Sequence, residues 1–213
     1  RRQKVKNFLK ADINFYPDKI TYVGDWYEGL DCLAQTSQEL IIMHEWETDL
    51  MRQHAEFVCS LGGDILEIGF GMGISAGFIQ KQGIKSHTII ELHPQIAEKA
   101  REWAADKPNV TILEGDWQEV LPNLKEGTVR TTHKKFDGMF FDPYGFWSKW
   151  GSFADKCIPH CKPTTRISHW NSANFEGSAC GFMNHSNFKI TYEAMDVSPP
   201  KNDYYNEKTY YFP

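Results

Sequence analysis

The chain has 213 residues, 41% of them hydrophobic, 24% charged and 14% aromatic, with a formal net charge of −5 at pH 7. That length suits a single domain with a substantial core, domains of about 100–200 residues being common. The acidic balance leaves no basic footprint for nucleic acid or an anionic membrane and favours a cationic partner; no apolar run approaches the ~20 residues of a spanning helix.

No secretory signal is visible in a sequence that opens Arg1-Arg2. The five cysteines (Cys32, Cys59, Cys157, Cys161, Cys180) are odd in number and lack framework spacing. They read as reduced thiols in a cytoplasmic setting. Cys157-Ile-Pro-His-Cys161, with His169 nearby, fits no strong zinc signature and holds Pro159 inside it. It reads as a helix end with ordinary thiols, and no metal is expected.

In chain order, residues 1–40 are a mixed basic and aromatic lead-in. Ile41 to Leu61 reads as a helix, from the recurrence of Met43, Trp46, Leu50, Met51 and Phe57, with Gly62-Gly63 ending it. Strands then alternate with helices. Strands are predicted at Ile65–Ile68, Thr88–Glu91, Val110–Leu113, Phe136–Phe141 and Thr165–Trp170. Helices are predicted at Ile74–Gln82, Pro94–Ala105, Trp117–Leu124 and Trp147–Cys157. Phe188–Val197 and Lys208–Phe212 read as an antiparallel pair. Repeated βα units imply a parallel sheet with helices on both faces and ligands beyond the carboxyl ends of the strands. Gly69, Gly71, Glu91, Asp116 and Asp142 all fall on that one rim.

Asp64-Ile-Leu-Glu-Ile-Gly-Phe-Gly-Met-Gly73 is a strand, a glycine turn and the opening of a helix. The third glycine of a dinucleotide turn is missing, since position 74 is Ile. Glu67 just before the turn is awkward beside a pyrophosphate but suits an ammonium and a sulfonium. The pattern therefore favours S-adenosylmethionine over a dinucleotide, with a bare structural turn last. Glu91 suits two ribose hydroxyls. Asp116 suits the adenine amino group or an N-cap, and Trp117 can cover the adenine ring.

Phe140-Phe141-Asp142-Pro143-Tyr144 ends the fourth strand, where a methyl group would point. A carboxylate there can orient a nitrogen nucleophile and take its proton. Glu47, in His44-Glu-Trp-Glu-Thr-Asp-Leu-Met51, supplies a possible second acid. Glu47 and Asp142 together could grip a planar guanidinium; on spacing alone Glu45, Glu47 and Asp49 also fit a solvated helix face.

These motifs stand in one order: Met43-His-Glu-Trp-Glu-Thr-Asp-Leu-Met51, Leu66-Glu-Ile-Gly-Phe-Gly-Met72, Ile89-Ile-Glu91, Gly115-Asp-Trp117, Leu121-Pro122 and Phe136-Asp-Gly-Met-Phe-Phe-Asp142. From about Ile41 to Tyr144 the chain resembles guanidinoacetate N-methyltransferase and the related arginine δ-N-methyltransferases, and its end looks like that family's closing hairpin. The resemblance implies a Rossmann-like class I methyltransferase fold: one domain over 1–213, a mostly parallel seven-stranded sheet, a C-terminal antiparallel hairpin, and an N-terminal lid within 1–40. It implies Glu47 and Asp142 on the guanidino group, with Asp142 taking the proton. Glu67, Gly69, Gly71 and Met72 would line the methionine part of S-adenosylmethionine, Glu91 the ribose, and Asp116 and Trp117 the adenine end. Tyr144, Asn171 and Ser172 would meet the substrate. Tyr16, Tyr22 and Trp26 are lid candidates.

Two departures bear on the substrate. Pro143 removes a backbone N–H where the family commonly has Thr, and Arg166-Ile-Ser-His-Trp-Asn171 is unlike the family. The reading is an S-adenosylmethionine-dependent N-methyltransferase acting on a small guanidino molecule, with S-adenosylhomocysteine as product, no membrane partner, and a monomer or homodimer. Alternatives are arginine within a protein or peptide, an exocyclic amine of a nucleic acid, which the acidic charge disfavours, and a catalytically idle cofactor-binding module.

Overall fold

The computed structural model describes residues 2–24, 38–125, 133–144, 152–171, 181–201 and 203–213. Helix α1 (Arg2–Lys10) leads into an antiparallel meander of β1 (Ile13–Phe15), β2 (Lys19–Gly24) and β3 (Gln38–His44). β3 corrects the helix expected from Ile41. The β-branched Ile41 sits opposite Thr21 and joins a ladder with β2. The helix, α2, runs from Thr48 to Val58, after a 3-10 turn over Glu45–Glu47. That turn is capped reciprocally. The His44 ring accepts from the Trp46 N–H, and the Glu47 carboxylate accepts from the His44 N–H. Leu50, Met51, His54, Ala55 and Val58 form the buried face of α2.

The alternating region follows as β4 (Asp64–Ile68), α3 (Ile74–Gln80), β5 (Ser86–Glu91), α4 (Pro94–Ala104), β6 (Val110–Glu114), α5 (Trp117–Val120), β7 (Phe136–Phe141), α6 (Phe153–Cys157) and β8 (Cys161–His169). The five strands are parallel, in the order β6-β5-β4-β7-β8. The chain builds outward from β4 to β6, then returns to the other side of β4. The point where strand order reverses therefore lies between β4 and β7. Of the helix expected over Trp147–Cys157, α6 is seen from Phe153; residues 147–151 lie outside the described residues.

The sheet has five described strands where seven were expected. β9 (Glu193–Asp196) and β10 (Thr209–Phe212) pair only with each other. Their links to the β8 end run through side chains. Ser168 Oγ donates to Pro213 O (2.9 Å), the Asn171 N–H to Tyr210 Oη (2.7 Å), and Asn171 Nδ2 to Tyr211 O (3.0 Å). Pro213 has no N–H with which to extend a ladder.

Neighbouring residues of β7 point to opposite faces. Phe140 stacks on His54 of α2 with ring centres 4.7 Å apart. Phe141 stacks on Phe153 of α6 at 3.9 Å, with Trp117 of α5 edge-on at 5.1 Å. Helices thus cover both faces. Burial holds the His54 imidazole well below its ordinary pKa, so it is neutral between Ser168 Oγ (2.7 Å) and Tyr210 Oη (3.1 Å). No helix among the described residues is long and apolar enough to cross a membrane.

Helix α2 carries Glu47 at its start, and β7 carries Asp142 at its end. The two elements meet at Gly138, where an added Cβ would strike the carbonyl oxygen of Val58. Gly138→Ala should therefore destabilise the protein by about 1–3 kcal/mol through overpacking. A urea titration reads this directly, and an unchanged midpoint would contradict the close packing.

Candidate active site

The turn after β4 forms because Gly69 adopts a φ of 90° and because a Cβ there would meet the backbone oxygen of Asp142. The same close approach puts Asp142 beside the turn, its N–H donating to Ile68 O (2.9 Å). Gly71 and Met72 follow in the turn, with the Met72 N–H on Met43 Sδ (3.3 Å). Met43, reaching in from β3, is a contact to which sequence reading assigns no role.

Glu91, at the end of β5, is buried and accepts from the Phe70 and His93 N–H groups, each at 2.8 Å. Burial raises its pKa, and these backbone bonds oppose the rise. The backbones of Leu92 and Gly71 act on it in the same direction. Asp116 caps α5, accepting from the Gln118 N–H at 3.0 Å. Trp117 is buried, packed edge-on between Phe141 and Phe153. Glu67 is fully buried, takes a hydrogen bond from Ser75 Oγ and lies 2.8 Å from His87 Nε2. Its carboxylate is thus engaged with α3 and β5. Glu67 in β4, Glu91 at the end of β5, Asp116 at the start of α5 and Asp142 after β7 bring four carboxyl groups to this rim. That donor set suits a cationic cofactor bearing hydroxyls and not a pyrophosphate.

The other side of the rim holds Glu47. It is 3% exposed and accepts from the His44 N–H (3.2 Å) and from the Tyr204 hydroxyl. Burial first, and the negative charge of Asp142 second, raise its pKa well above the carboxylate range; the Tyr204 and His44 bonds work against this. Asp142 is pushed up to about 7, by burial and then by the charges of Glu67 and Glu91. Tyr204 stays protonated, and so a donor, because burial and Glu47 raise its own pKa. Glu47 and Asp142 therefore share one electrostatic environment, although 95 positions separate them in the sequence. With no cation beside them they tend to hold protons; a bound cation reverses that.

The remaining candidates divide. Tyr144 packs against Phe8 (5.5 Å) and Tyr22 (5.8 Å), so the lid candidate Tyr22 does reach the Asp142-Pro143-Tyr144 corner. The lead-in is tied down further by His93 Nε2, 3.1 Å from both Phe8 O and Ala11 O. Tyr16 is 43% exposed. Trp26 and Ser172 lie outside the described residues. The Asn171 N–H is already engaged by Tyr210 Oη. Sequence reading assigns no role to Tyr204 or Asp203, although the Tyr204-Tyr205 pair in the closing hairpin was a usable signal.

The family model described as guanidinoacetate N-methyltransferase matches residues 28–156. Protein arginine N-methyltransferase 2 of Yarrowia lipolytica is 31% identical over 179 residues, covering 80% of this chain and 35% of that protein. The protein of the same name from Emericella nidulans is 41% identical over 140 residues, covering 64% of this chain and 28% of its own. The chain thus spans about a third of the length of these relatives. In fold, it is similar to a precorrin-6y C5,15-methyltransferase from Geobacter metallireducens, with a TM-score of 0.57 at 15% identity, covering 80% of this chain and 87% of that one. With the motif order, the parallel sheet and the rim of acids in place, the chain belongs to the guanidinoacetate N-methyltransferase family.

Proposed function

We propose that this chain transfers a methyl group from S-adenosylmethionine to a guanidino nitrogen of an arginine side chain in a protein. The observation that carries this reading is the pair Glu47, buried, and Asp142, half-buried, two acids at the reversal of strand order with raised pKa values. A free guanidino molecule was the first reading of the sequence. The names of the curated relatives support the protein substrate instead.

When bound, the cofactor supplies an activated methyl group. Glu91 would hold the ribose hydroxyls, Asp116 the adenine amino group with Trp117 beside the ring, and Gly69, Gly71 and Met72 the methionine end, near Glu67. The task of the protein is then to make a guanidinium nucleophilic. Its pKa lies above ~12, so its charge must be localised and a proton lost. Paired N–H bonds to Glu47 and Asp142 would draw positive charge onto the nitrogens that do not react. They would also offset repulsion between guanidinium and sulfonium. A guanidinium nitrogen that is methylated must give up one proton, and Asp142 would accept it. The packing of Tyr22 and Phe8 on Tyr144 supports a lid that shields this corner from water.

Asp142→Asn and Glu47→Gln should each lower methyl transfer to an arginine peptide by about 10²–10⁴-fold, the usual worth of a positioned acid–base group. Calorimetry should show S-adenosylmethionine, and not NAD, still binding to both variants. Full activity in either variant would overturn the assignment, as would transfer confined to DNA or RNA. A pH series gives an independent reading. Asp142 is protonated in the free protein below about 7, and a cation needs the carboxylate. Guanidine binding should therefore weaken as pH falls through that value. Binding that is flat with pH, or that strengthens toward acid, would contradict the role.

A further inference from the structure

The segment between β9 and β10 brings a third acid to the guanidine side of the site. Asp203 is 6% exposed, and its Oδ1 accepts only a long bond from the Tyr205 N–H, at 3.4 Å. Its Oδ2 is buried and has no hydrogen-bond partner among the described residues. The adjacent Tyr204 donates to Glu47. The next residue, Tyr205, stacks on Trp46 with ring centres 5.9 Å apart and planes 26° apart. Trp170 stands edge-on to Tyr205 at 5.9 Å and to Trp46 at 6.4 Å. Trp46 also holds its indole Nε1–H buried without a partner.

A buried carboxylate oxygen facing no donor is unfavourable unless a ligand meets it. Charge leads to the same place. Asp142 and Asp203 both act on Glu47 as negative charges, and a sulfonium with one guanidinium brings two positive charges. The charge of Asp203 is felt at Glu47 and at Tyr204. Aromatic faces beside it add attraction for a cation.

We propose that Asp203, beside Tyr205 of the Trp46–Trp170–Tyr205 cluster, is a subsite for a second positive charge on the methyl acceptor. The protein then selects guanidines that carry a further ammonium or guanidinium group. This rests on the guanidine reading above. In a small molecule the second charge is an amine at the far end of an alkyl chain. In a polypeptide it is a lysine or arginine next to the methylated arginine.

Two matched pairs separate these sources: agmatine against N-butylguanidine, and an acetylated Gly-Lys-Arg-Gly peptide against the same peptide with norleucine for lysine. Wild-type protein should favour the dication of at least one pair by about tenfold in kcat/KM. Asp203→Asn should erase that preference, read as the ratio of dication to monocation within the variant, and Asp203→Glu should keep it. Equal rates within both pairs overturn the subsite, and this is read on wild-type protein whatever the stability of the variants. A preference that survives in Asp203→Asn removes Asp203 from the role. Transfer to none of the four guanidines, with S-adenosylmethionine still bound, would sink the guanidine reading and the subsite with it; transfer to the monocations alone would sink only the subsite.

Discussion

Like charges held together out of water are the constraint around which this molecule is organised. Glu47 and Asp142 lie in an environment that disfavours their ionised forms, and each is pushed further by another acid. Such an arrangement is unfavourable for a resting protein unless protons or cations neutralise it. Partial relief comes from inside. The Tyr204 hydroxyl and the His44 N–H both donate to Glu47, and backbone amides surround Glu91. The remaining charge is what a sulfonium and a guanidinium would neutralise. Raised pKa values and cation recognition are two aspects of one electrostatic fact.

Holding those acids in place falls to rigid elements. Gly69 lets the β4 turn lie against the carbonyl of Asp142, and Gly138 lets α2 lie against β7. Both contacts are backbone-to-backbone approaches that a methyl group would block. Glu47 is fixed from the other direction, by the capping turn that starts α2. The aromatic cluster of Trp46, Trp170, Tyr204 and Tyr205 then connects the start of α2, the end of β8 and the closing hairpin. Over the opposite corner, Phe8 and Tyr22 pack on Tyr144. The site proposed for the chemistry lies at the reversal of strand order, where two strand ends diverge.

Some of this was legible in the chain. The glycine turn, Glu91 and Asp142 stand at the ends of short apolar runs, and a parallel sheet brings strand ends to one rim. Other features were not. Ile41 to His44 fits a helical period as well as a strand, and only the β2 partner decides for the strand. The two hairpin strands belong to no backbone ladder of the main sheet, which local pattern cannot reveal. That Glu67 takes a hydrogen bond from Ser75 of α3 and lies beside His87 of β5 is likewise a tertiary fact.

What the amino-acid sequence by itself determined was the order of elements, the family and the acids at the strand ends, because periodicity, turn residues and motif order are local properties. What only the tertiary structure decided was which acids meet. Tyr204 bonds Glu47 across 157 positions, and Asp203 next to it keeps a buried oxygen with no hydrogen-bond partner among the described residues. Burial and repulsion from neighbouring acids, which raise the pKa values of Glu47 and Asp142, arise only once the chain has closed around them.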